Sequence, residues 1–172
     1  WCIYKCSCRR AVLSSFPTRR SSDLGNDTLN AASNNNISLR GGRGDDTLRI
    51  QGDELNLRID AGTGTDVLEI LGSGQTLDLT AIPNNRIQNL EQIDLTGSGN
   101  NTLNLDVLDV LALSETSNVL EVFGNAGDVL VASASTGGAW VDGGASGGVR
   151  TYTLGEATLL VDDAINQAGI VV

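Results

Sequence analysis

A short phrase returns along this chain at a spacing that few architectures tolerate. Gly25-Asn26-Asp27-Thr28-Leu29 recurs as Gly44-Asp45-Asp46-Thr47-Leu48 and as Gly64-Thr65-Asp66-Val67-Leu68. It returns once more, with Asn for Asp, as Gly99-Asn100-Asn101-Thr102-Leu103. The acidic positions 27, 46 and 66 stand 19 and 20 residues apart. Between them lie further short apolar runs at Ile37–Leu39, Leu55–Ile59 and Leu77–Leu79, so leucines fall near every ninth or tenth residue. One coil of strand, turn, strand and turn has this length. Coils of this kind stack as parallel strands, each packing its inward Leu or Ile on the coil below, and several are needed because one coil cannot bury its own apolar face. Alternation in Leu55-Asn56-Leu57-Arg58-Ile59 puts apolar residues inward and polar ones outward. The expected fold is therefore all-β: a parallel β-solenoid or β-roll of about four to five coils over residues 25–113, followed by a small β-rich C-terminal module over 114–172. By the spacing, Asp27, Asp46 and Asp66 stack in one column.

Composition narrows the functions. There is no His and no Met, aromatics are 3%, and the net charge is −10. An acidic balance argues against nucleic acid as a partner. No apolar run of membrane-spanning length exists, so no membrane span is expected. The first 24 residues differ from the rest. They hold all three cysteines and five of the eleven basic residues, whereas from Gly25 onward six basic and twenty acidic residues leave −14. Ala11-Val12-Leu13 is too short for the apolar stretch of a signal peptide. Ser15–Leu24 resembles translated sequencing-adapter read-through, so residues 1–24 are read as an artefact or as disordered. Cys2, Cys6 and Cys8 offer three sulfur ligands with no His to complete a zinc site.

Gly41-Gly42-Arg43-Gly44-Asp45-Asp46-Thr47-Leu48-Arg49 matches the nonapeptide G-G-x-G-x-D-x-U-x at each specified position. Ala61-Gly62-Thr63-Gly64-Thr65-Asp66-Val67-Leu68-Glu69 departs only in Ala61. The Gly25 copy keeps the second half of the motif, and the fourth copy has Thr96 and Asn101 where Gly and Asp are expected. The chain here resembles the RTX (repeats-in-toxin) family. That resemblance implies calcium held between stacked turns, with one ion between the 25–27 and 41–46 turns and another between the 41–46 and 60–66 turns. The metal residues it implies are Asp27, Gly41, Gly42, Gly44, Asp46, Gly62, Gly64 and Asp66. The chemistry suits calcium, a hard cation that takes six to eight oxygens; glycines bend the loop so that carbonyls face the ion, and Asp adds formal charge. Gly-Asp turns also form corners in proteins without any metal.

From Asn89 the chain resembles a segment found near the C-terminal ends of large RTX-type adhesins. The carrying residues are Asn89–Gly97, Asn101–Leu105, Asp109–Ser114, Gly124–Asp128, and Tyr152 before Ala157–Asp162. Asp106 is a plausible N-cap for a helical turn through Leu113. Val119–Phe123, Asp128–Ala132, Ala139–Val141, Val149–Leu154 and Ala157–Val161 read as strands between Gly-rich turns. Packing is the expected role of Trp140 and Tyr152.

Together these features imply an extracellular, type I-secreted or cell-surface bacterial module that binds calcium ions and stiffens an adhesin. Its partners are neighbouring domains of a larger chain and an unidentified surface or polysaccharide target. The competing reading is the secretion and folding appendage of a secreted enzyme or toxin. Catalysis within the chain is not expected. After residue 24 there is no His, Cys or Lys, and the six Arg are scattered. Adjacent pairs such as Asp45-Asp46 on a strand face opposite sides.

Overall fold

The computed structural model of the protein describes residues 18–21, 24–31, 37–51, 56–114, 116–135 and 137–172. Cys2, Cys6 and Cys8 lie outside the described residues, as does Leu55 at the start of one expected strand. The described chain is all-β apart from one short helix and a 3₁₀ turn at Leu79–Ala81. Its strands are β1 (Thr18–Ser21), β2 (Thr28–Asn30), β3 (Ile37–Arg43), β4 (Thr47–Gln51), β5 (Leu57–Thr63) and β6 (Val67–Leu71). These are followed by β7 (Thr76–Asp78), β8 (Ile87–Gln88), β9 (Gln92–Asp94), β10 (Thr102–Asp106) and the helix α1 (Val107–Leu113). The remainder are β11 (Val119–Phe123), β12 (Val129–Ser133), β13 (Val141–Ser146), β14 (Val149–Leu154), β15 (Ala157–Asp162) and β16 (Asn166–Ile170).

Three ladders organise them. The first runs β1-β3-β5-β8 and is parallel throughout. The second runs β2-β4-β6-β9-β11-β15 in parallel, then adds β14 and β13 as an antiparallel hairpin. The third runs β7-β10-β12-β16, again parallel. The repeat sets the register. Leu29, Leu48, Leu68, Ile93, Val122 and Val161 stack on one another along the second ladder, and all six are buried. Burial alternates along β4 and β6, as period-2 patterning requires.

Two features differ from expectation. Gly41, Gly42 and Gly62 are not turn residues but lie inside β3 and β5, which pair Gly42 with Gly62 and Arg43 with Thr63. Their glycine character serves a close approach of backbones within the ladder; the bend itself is left to residues 44–46 and 64–66. In addition, Thr18–Ser21, within the stretch read as artefact or disordered, is extended and pairs with Ile37–Arg40. The unpaired edge of β3 offers hydrogen-bonding groups that any extended segment satisfies.

Asp106 is the helix N-cap. It accepts from the amides of Leu108 and Asp109, and Asp109 returns a bond from the Asp106 amide at 2.8 Å, a full capping box. The helix packs against β8, the last strand of the first ladder, and against β10, β11 and β15 of the other two. Residue 113, the expected module boundary, is the end of α1, yet β9–β11 and β10–β12 pairings and one buried core cross it. Trp140 and Tyr152 are buried, with Trp140 Nε1 donating to Ser133 O at 3.2 Å and Tyr152 Oη to Gln167 Oε1 at 2.8 Å.

The glycine ladder gives a test of the stacking. Gly62 has φ +113°, and a Cβ there would overlap the backbone of Gly42, whereas Gly74 at φ +69° faces open space. Gly62→Ala is expected to cost more than about 3 kcal/mol, because strain and overlap add, against roughly 1 kcal/mol for Gly74→Ala. Urea unfolding of the two variants measures the difference; equal costs would mean that the coils do not approach at this position.

Candidate functional site

The corner leading into the second ladder gathers the repeated acids into one column. Asp46 Oδ1 accepts from the Asp27 amide at 2.8 Å, and Asp66 Oδ1 accepts from the Asp46 amide at 2.7 Å. Each coil thus hands a carboxylate oxygen to the backbone of the coil before it. The backbone repeats the link, with Thr47 N donating to Asp27 O and Val67 N to Asp46 O. Outside this column runs a second, exposed one: Asn26 Oδ1 accepts from Asp45 N and Asp45 Oδ1 from Thr65 N, both at 2.9 Å. The structure therefore brings Asp27, Asp46 and Asp66 together, with Gly44 and Gly64 at the bends.

What remains is an oxygen on each of two acids. Asp46 and Asp66 are 1% and 0% exposed, and their Oδ2 atoms are buried with no hydrogen-bond partner. No arginine of the described residues pairs with either; the ion pairs are Arg40–Asp60, Arg49–Glu69 and Arg150 with Asp142 and Asp163. Burial pushes the Asp66 carboxyl up to about 6, and the charges of Asp46, Glu91 and Asp45 add to it against the pull of the Asp46 amide. Asp46 is raised for the same first cause, burial, with Asp27 and Asp45 adding. An unpaired buried carboxylate is costly, so these oxygens require a proton or a cation.

Gly41 supplies the room. A Cβ on Gly41 would strike both Asp46 Oδ2 and the carbonyl oxygen of Ala61, so those two oxygens share the space that a side chain would fill. The set is oxygen-only, and oxygen-only sets suit calcium better than softer metals. Among the described residues no group of three or more His, Cys, Asp or Glu side chains is close enough to hold a metal. A cation here would thus take one carboxylate oxygen per gap and draw its other ligands from backbone carbonyls. Such residues fit a weakly held calcium ion.

The fourth motif copy does not join this column. Thr102-Leu103 pairs with Thr76-Leu77 and Val129-Leu130 in the third ladder, so Asn101 stands at a different corner, with Gln75 and Asp128. Gln75 N donates to Asn101 Oδ1 at 2.9 Å, and Asn101 N to Asp128 Oδ1 at 2.7 Å. Asp128 was outside the sequence expectation, as was Glu91, whose Oε2 accepts from the Asp66 amide at 3.0 Å and extends the first column. Asp128-Val129-Leu130 repeats the Asp-x-Leu end of the phrase, with Gly127 one residue nearer than in the other copies, and is a usable signal; Glu91, with no glycine before it, offers none.

No family model, no curated protein and no solved structure matches the chain.

The raised carboxyls set a pH dependence. A folded-state value of about 6 for Asp66, and equally for buried Asp109, lies above the ordinary 3.8. The resulting stability is fully present below the unfolded value and is lost as pH rises through about 6. In chelator the protein should therefore be less stable near pH 7.5 than near pH 5, by on the order of 1–1.5 kcal/mol per group, and should melt at lower temperature. Asp66→Asn should remove part of that slope, with Asp46 and Asp109 supplying the rest. An unchanged slope in this variant would mean that Asp66 is not the titrating group.

Proposed function

We propose that the chain is a calcium-binding structural module of a secreted or surface-attached bacterial adhesin of the RTX type, built as a parallel β-solenoid and serving binding and stiffening rather than catalysis. The observation that carries the reading is the pair of buried, unpartnered carboxylate oxygens on Asp46 and Asp66. They belong to the two nonapeptide copies that fit the family pattern best. The solenoid part of the reading is supported by parallel pairing at the repeat spacing, Leu29 with Leu48 and Leu48 with Leu68.

In this reading Asp46 and Asp66 would hold the ions together with carbonyls of the glycine-rich strands, among them that of Ala61. A bound calcium supplies positive charge where burial leaves negative oxygen. The chain's own residues do the rest: Asp27 and Asp46 offer their amides to the coil above, Gly41 leaves the cradle open, and the leucine column holds the coils in register. Few formal charges per gap imply affinity at the weak, extracellular end of the range, about 10⁻⁴–10⁻³ M. Folding and binding are then coupled, so the module stays loose where calcium is scarce and orders outside the cell.

The test is a calcium titration of the full chain followed by far-ultraviolet circular dichroism and calorimetry, beside an Asp46→Ala, Asp66→Ala double variant. Added strand signal and binding heat at sub-millimolar to millimolar calcium, absent from the variant, are expected. Equal strand signal and equal melting temperature in chelator and in calcium would refute the reading and leave the turns as metal-free corners.

A further inference from the structure

The two corners solve the same packing problem with different atoms. At the first, Asp46 Oδ2 sits in the Gly41 cradle beside a carbonyl oxygen and has no donor. At the second, backbone carbonyls lie beside Gly97 and the side-chain atom next to them is a nitrogen. A Cβ on Gly97 would lie 2.8 Å from Ile70 O, 3.4 Å from Gly72 O and 3.8 Å from Asn101 Nδ2. That nitrogen donates to Gly72 O at 3.3 Å and to Leu95 O at 3.2 Å.

Asn101 is 1% exposed and its amide is used in full: both N–H groups reach carbonyls, and Oδ1 accepts from Gln75 N. The reverse orientation of the amide would set oxygen against two carbonyl oxygens and N–H against N–H, so the network assigns the nitrogen. Gly72 belongs to the stretch before β7 and Leu95 to the stretch after β9, so one side chain ties successive turns of the chain together. Asp128, which closes the same column, has a donor on each oxygen, with Oδ1 accepting from the Asn101 amide and Oδ2 from Asn125 N at 2.6 Å. The one orphan oxygen there is Oε1 of Gln75, which carries no formal charge.

We infer that Asn101 is a specificity-determining residue that does with an amide what a cation does at the first corner, so that the second corner holds without metal and calcium-dependent order is confined to the coils before Gly72. The physical basis is that two carbonyl oxygens converge on a partial positive charge supplied by the protein itself. An Asp at this position would present an oxygen to those carbonyls and recreate the oxygen-only set of the first corner. This inference rests on the calcium reading of the first corner.

Hydrogen exchange of the full chain, wild type and Asn101→Asp, in chelator and in millimolar calcium chloride, tests it. In the wild type, calcium should slow exchange about tenfold or more at Asp46, Thr47, Asp66 and Val67. The amides of Gln75, Asn101 and Thr102–Asp106 should stay within about twofold. In chelator, Asn101→Asp should exchange about tenfold faster than wild type at the second corner, and calcium should restore protection. A calcium response of the wild-type second corner as large as that of the first would overturn the inference, and so would an Asn101→Asp variant that is equally protected with and without calcium. If the wild-type first corner is silent to calcium, the calcium reading itself fails; restoration of Asn101→Asp by calcium then still supports the amide substitution, and lack of restoration overturns it.

Discussion

A carboxylate oxygen accepting from the backbone amide of the preceding coil is the contact on which the first half of the structure depends. Asp46 does this to Asp27, Asp66 to Asp46 and Glu91 to Asp66. The bond fixes the register of the coils from their edge. With the acid one residue before each strand, the following Thr47 and Val67 must pair, and Leu48 then falls on Leu68. It also fixes the spacing, since a coil drawn this close leaves no room for a Cβ at Gly41, Gly44 or Gly64. And on Asp46 and Asp66 it consumes one carboxyl oxygen while the other is buried. The need for a proton or cation is thus a by-product of the contact that builds the stack.

Residues that act within one coil were legible from sequence. The Asp27–Asp46–Asp66 column, the inward leucines, the Asp106 cap and the strand at Val119–Phe123 follow from spacing, alternation and local capping chemistry. What spacing alone does not show is which ladder a corner feeds. Gly99–Leu103 spells the same phrase as Gly44–Leu48, yet the corner it forms leads into the third ladder. A motif encodes a bend and an inward leucine; the chain length since the last corner decides where that leucine lands. The distance from Asp66 to Asn101 is 35 residues rather than 19 or 20, and it contains β7, β8 and β9. Gly42 and Gly62 were misread as turn formers for a related reason. Glycine letters do not separate a chain that must bend from one that must let another chain come near.

Most of the net negative charge does not lie over the nonapeptide copies. From Gly25 to Leu71 there are eight acidic and four basic residues, and Arg49 and Arg40 pair across coils with Glu69 and Asp60. From Gly72 onward there are twelve acidic and two basic residues. The larger net excess therefore lies over the longer stretch, whose corner is closed by Asn101 and by an Asp128 with a donor on each oxygen. Exposed charges in water interact weakly, whereas one buried carboxylate oxygen without a donor carries the full desolvation cost. Two such oxygens, on Asp46 and Asp66, outweigh a surface excess several times larger in count. On the proposed calcium reading, dependence on a cation would follow the placement of unpartnered oxygen rather than net charge, and an exchange of Asp for Asn at the corner would move a coil from one regime to the other.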